Sequence, residues 1–162
     1  IHRILSAYEF ERKQDLNIYG DFPAIVKAHE LNFKEYILWR LDKNNSITNF
    51  QMTKMTRNGN LLSIQNKLTK CDIIETFDQY DFVGVVELFD SSIKKLQYLL
   101  ANHNIDLKIT NAKYNVNNSL SKINDRDYFI KNELGSDLYA KLVNLNEYDF
   151  QLHEYAIQKV SQ

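Results

Sequence analysis

The stretch "YDFVGVVELFD", Tyr80–Asp90, decides how the rest of the chain is read. Phe82–Val86 is a continuous apolar run with two valines in series and one glycine. Such a run fits a strand buried on both faces, as in a parallel sheet. Asp90 follows, and "SSIKKLQYLL" after it has helical spacing, with Ile93, Leu96 and Leu100 pointing inward. The reading is therefore a strand over Phe82–Val86 with neighbours on both sides, feeding a helix capped by Asp90. A lone strand would leave its backbone N–H and C=O groups without partners. The remaining strands are expected either in ambiguous stretches or upstream of Ile1.

Working outward, helices dominate. Ile1, Ile4, Leu5 and Tyr8 fall at i, i+3, i+4, i+7, a helix with one buried stripe. "FPAIVKAHELNFKEYILW" reads as two short helices, the second capped at Asn32 with Glu35 three residues on. Residues 44–60 read as polar loop with short helical turns. Leu61, Ile64, Leu68, Cys71 and Phe77 again have helical spacing. One long helix is predicted over residues 136–158, docked by Leu138, Leu142, Leu145 and Leu152. Asp149 interrupts that apolar face, so it needs a buried Arg, a Tyr or backbone N–H groups as partner. With 4 Gly and 1 Pro in 162 residues, loops must be made by Asn, Asp and Ser, as in "DKNNSITN" and "NAKYNVNNSLSKINDRD". No repeat or linker divides the chain, which reads as a single domain over residues 1–162.

Charge and composition narrow the function classes. The 20 basic and 21 acidic residues leave a formal net charge of -1, so no overall field recruits nucleic acid, and an anion site must be local. The single Cys permits no disulfide within the chain, which points to a reducing, cytoplasmic setting. There is no membrane-spanning run, and no His/Cys cluster at metal spacing. Ser6 lies three residues after Arg3 and four after His2, on the side of its helix away from the apolar stripe. A hydroxyl, a guanidinium and an imidazole gathered there can hold a phosphate. The alternative is a solvated helix serine, with Arg3 paired to Glu9 or Glu11.

Four segments in order resemble the PAPS-dependent sulfotransferases, in particular the carbohydrate-type family 2. "IHRILSAYEF" resembles the segment after the Arg-Asp-Pro of the family's 3′-phosphate-binding motif, through Arg3, Ser6 and Tyr8. "NSITNFQMTKMTRNGN" resembles an Asn-x-Gln-Thr-Arg segment through Asn49, Gln51, Lys54 and Gly59, with Met52 and Thr53 departing from the pattern. "YDFVGVVELFDSSIKKL" resembles the family's strand-helix segment through Phe82, Gly84, Val85, Glu87, Phe89, Asp90 and Ser92. "LVNLNEYDFQLHEYA" resembles its closing helix, with His153 where Tyr is usual.

The resemblance implies an α/β, P-loop-type sulfotransferase fold, a parallel sheet flanked by helices, of which this chain is the helix-rich C-terminal portion. It implies sulfuryl transfer from 3′-phosphoadenosine 5′-phosphosulfate (PAPS) to a hydroxyl of an acceptor, expected to be a glycan, with PAP as product and no metal. The phosphosulfate loop and the general base are expected upstream of Ile1, so no catalytic residue is assigned within this chain. Ser6 and Arg3 are the implied cofactor contacts. Lys113 and Asn117, with Asn115 and Ser119, are further candidates, in the place where family members fold a loop over the cofactor. For a eukaryotic family member the compartment would be the Golgi lumen. Two other readings compete: a non-catalytic binding or scaffolding domain derived from the same fold, and a helical interaction domain.

Overall fold

In the computed structural model, Phe82–Val85 forms no strand. The structure describes residues 1–42, 47–55, 70–109 and 123–161, and among them every regular element is a helix. The expected α/β fold with a parallel sheet is thereby overturned. The apolar run breaks up by exposure. Val85 is buried, Phe82 and Val83 are half-buried, Gly84 is exposed, and Val86 is 85% exposed. A sheet strand needs hydrogen-bonding neighbours. Here one side chain substitutes at Val85: Ser92 Oγ accepts from Val85 N at 2.9 Å and donates to Val85 O at 3.2 Å. Gly84 lets the segment lie close, since a Cβ there would come within 3.2 Å of the Phe82 ring and 3.3 Å of Ser92 Cβ. A 3-10 turn at Val86–Leu88 follows. The next helix, Phe89–Ala101, takes Leu88 as its N-cap. Asp90 therefore sits inside the first turn, where a carboxylate still suits the macrodipole, and is not the cap.

The chain falls into two compact units, each made of two separated segments. The first comprises Ile1–Thr48 and Asn115–Asn146. Its described helices are α1 (His2–Glu11), α2 (Leu16–Tyr19), α3 (Pro23–Glu30), α4 (Phe33–Asp42), α8 (Ile123–Leu134) and α9 (Ser136–Leu145). Of the predicted stripe, Ile4, Leu5 and Tyr8 are buried and Ile1 is half-buried at the helix start; α1 packs on α3, α4 and α8. Pro23 starts α3 at a position where its missing N–H costs nothing. The cap of α4 is reciprocal: Glu35 N donates to Asn32 Oδ1 at 2.9 Å, and Asn32 N donates to Glu35 Oε2 at 3.0 Å. The core joins Leu5, Tyr8, Phe33, Tyr36 and Ile37 to Ile130, Leu134 and Leu142. The stretch "INDRD" at 123–127, expected as the end of an Asn-rich loop, is the first part of α8.

The second unit comprises Asn49–Tyr114 and Glu147–Gln162. It holds α5 (Phe50–Met55), α6 (Lys70–Phe77), α7 (Phe89–Ala101) and α10 (Glu147–Ser161). Met52, Ile73, Phe77, Val85, Leu152, Ala156 and Val160 form its core, with α10 packed on α5, α6 and α7. The positions Leu61, Ile64 and Leu68, expected on a helix, lie outside the described residues.

The single helix predicted over residues 136–158 is two helices. Asn146 ends α9, with φ -113° and ψ 20°, and its Nδ2 donates to Leu142 O at 2.8 Å. A second asparagine starts α10: Asn49 Oδ1 accepts from Tyr148 N at 3.0 Å and Asp149 N at 3.2 Å. Asp149 in turn caps α5, accepting from Met52 N at 2.8 Å and Gln51 N at 3.1 Å. The carboxylate that interrupts the apolar face thus satisfies the backbone N–H groups a helix start leaves open.

Candidate functional site

On α1, residues at spacings of three and four share a face, so His2, Ser6 and Glu9 lie on the polar side while Ile4, Leu5 and Tyr8 anchor the other. The polar side meets α8 at Asp127 and Arg126. His2 Nε2 is 2.8 Å from Asp127 Oδ1. Arg126 Nη2 donates to Ser6 Oγ at 2.7 Å and lies 3.6 Å from Glu9 Oε2. Ser6 is exposed, whereas Arg126 and Glu9 are largely covered. Arg126 Nε is buried with no hydrogen-bond partner, so its protein neighbours do not fully satisfy the guanidinium. Asp127 also helps raise the Tyr139 pKa, behind burial as the main cause.

The hydroxyl of Ser6 and the guanidinium of Arg126 converge as the donors of a phosphate site do. The sequence brought Ser6 together with Arg3 and His2, and missed Arg126. That arginine is 120 positions away in a stretch read as loop, and only the packing of α8 on α1 brings it to Ser6. Arg3 is exposed on α1. Glu9 Oε2 lies 3.6 Å from Arg126 and Glu11 Oε1 3.5 Å from Arg40. Lys113, Asn115, Asn117 and Ser119 lie outside the described residues.

An uncharacterized protein of the archaeon Archaeoglobus fulgidus is 31% identical over 162 residues, covering 97% of this chain and 62% of that protein. The chain thus spans less than two thirds of the relative it matches. No protein-family profile matches the chain, and no solved structure matches it.

Other residues that carried the resemblance have structural work. Asn49 caps α10, and Ser92 holds Val85. Glu87 Oε2 meets His153 Nε2 at 3.2 Å in an exposed pair. A second polar cluster ties α1 to α4 and to the end of α3: Tyr36 donates its hydroxyl to Glu11, Arg12 Nη1 donates to Tyr8 Oη at 3.0 Å, and Tyr8 donates to Leu31 O at 2.8 Å. Burial, then the Glu11 hydrogen bond, pushes the Tyr36 phenol well above its ordinary range. The Tyr36 and Trp39 rings meet at a tilt of 44°, centroids 5.8 Å apart, with Trp39 half-buried against the core. Among the described residues no group of three His, Cys, Asp or Glu side chains is placed to hold a metal, and no helix is long and apolar enough to cross a membrane.

Proposed function

We propose that this chain contributes the 3′-phosphate contact of a PAPS-dependent sulfotransferase acting on a carbohydrate hydroxyl. The observation that carries the reading is the exposed Ser6 hydroxyl held 2.7 Å from the Arg126 guanidinium on a helix anchored by Ile4, Leu5 and Tyr8. The four ordered sequence segments support the choice of ligand. PAPS, when bound, supplies the sulfuryl group, with PAP as the leaving group. The role of this chain is to grip the nucleotide's phosphate, holding donor and acceptor in line. The reading rests on the α1 surface and not on a sheet.

A hydrogen bond to a charged group is worth about 1.5–3 kcal/mol. Ser6→Ala in the full-length protein should therefore weaken PAP binding by about 10- to 100-fold, with the melting temperature retained. Calorimetric titration measures this directly. Equal affinities would reduce Ser6 to a helix serine and remove the reading.

A helical interaction domain is the second reading. It is favoured by the helical architecture and by the large apolar side chains left exposed around α2, among them Phe10 at 65%, Ile18 at 69% and Phe22 at 57%.

A further inference from the structure

Arg126 faces two residues of α1 at once. Ser6 and Glu9 are three apart, so both reach the same guanidinium. The contact to Ser6 Oγ is a formed hydrogen bond at 2.7 Å, whereas Glu9 Oε2 stands off at 3.6 Å, an ion pair beyond good hydrogen-bond distance. Both charged side chains are mostly covered, at 18% exposure for Arg126 and 22% for Glu9. A covered guanidinium without a counter-charge would be costly, so Glu9 neutralises Arg126 when no ligand is present. A phosphomonoester carries close to two negative charges at neutral pH and accepts hydrogen bonds through several oxygens. It can engage the planar fork of Arg126 and the Ser6 hydroxyl together, which a single carboxylate 3.6 Å away does not.

We infer that Glu9 is a built-in competitor for Arg126. Its carboxylate occupies the guanidinium until a phosphomonoester dianion bridges Ser6 and Arg126 and displaces it. The exchange favours ligands of higher charge and sets the affinity of the site. This inference rests on the phosphate-site reading of α1 and adds two residues to it, Arg126 as a direct ligand and Glu9 as its antagonist.

The test is calorimetric titration of the full-length protein with PAP and, separately, with adenosine, which carries no phosphate. Arg126→Gln should weaken PAP binding by about 10- to 100-fold, the loss of a charge-assisted hydrogen bond, with Arg126→Lys in between. Glu9→Gln should act in the opposite direction, tightening PAP binding by about 2- to 5-fold, the worth of one partly covered ion pair. Binding of adenosine should be unchanged across the series. Glu9→Gln preserves shape and leaves Arg126 in place, so it carries the test even if Arg126→Gln melts early. Glu9→Gln binding PAP no tighter than wild type overturns the competitor. Arg126→Gln binding with wild-type affinity overturns the ligand, while the function survives if Ser6→Ala still weakens PAP. A wild-type protein that does not bind PAP overturns both.

Discussion

Single side chains settle matters here that whole segments would settle elsewhere. Ser92 is buried, and its hydroxyl meets both polar groups of Val85. Ser92→Ala leaves those groups unsatisfied and should cost about 1–3 kcal/mol, read as a lower urea midpoint. An unchanged midpoint would mean that the hydroxyl does not hold the segment. Tyr36, 1% exposed, gives a pH signature. Its phenol is raised by burial and by the hydrogen bond to Glu11. In the unfolded chain it ionises near pH 10. Above that point the unfolded chain has released this proton while the folded chain still holds it, so stability falls as pH rises. The contribution is fully present below about pH 10 and declines beyond it. Urea midpoints from about pH 8 to pH 11 should fall more steeply for wild type than for Tyr36→Phe; parallel profiles would refute the assignment. Tyr8 as a core residue was legible from its place in the i, i+3, i+4, i+7 stripe. The partner of Tyr36, Glu11, was not, because it lies 25 positions away.

At the scale of elements, helix ends account for most of the difference between expectation and structure. Periodicity locates α1, α3, α4 and α7 because each carries its own apolar face and, in α4, its own capping residues. It ran α9 and α10 together because Leu138, Leu142, Leu145 and Leu152 keep a single helical phase across Asn146. What breaks the phase is capping from a distance: Asn49, about 100 positions before α10, receives its first N–H groups. Asn49 also has φ 44°, a left-handed conformation that Asn tolerates better than most residues. Asn49→Ala removes the cap and should cost about 0.5–2 kcal/mol, with backbone strain added. Asn49→Gly relieves the strain but not the lost cap. The expected order of thermal midpoints is wild type, then Gly, then Ala. Three equal midpoints would show that α10 needs no cap from Asn49.

For the molecule as a whole, the helical architecture predicts a far-ultraviolet circular dichroism spectrum dominated by helix. A strong sheet component would contradict it. Sequence patterning alone determined the helical stripes, the reciprocal cap of Asn32 and Glu35, and the polar face of α1 that carries Ser6. These are local properties, written in spacings of three and four residues and in side chains that bond to their own neighbourhood. The identity of Phe82–Val86 was not local. An apolar run is compatible with a buried strand or with a segment folded onto a helix, and the choice depends on which groups answer its backbone. Ser92 answered at Val85, and no strand did among the described residues. The approach of Arg126 to Ser6 belongs to the same class, since it required α8 to pack on α1. Tertiary structure decided both, because a hydrogen bond between residues distant in the chain is set by the packing of the elements that bear them, and leaves no period in the sequence.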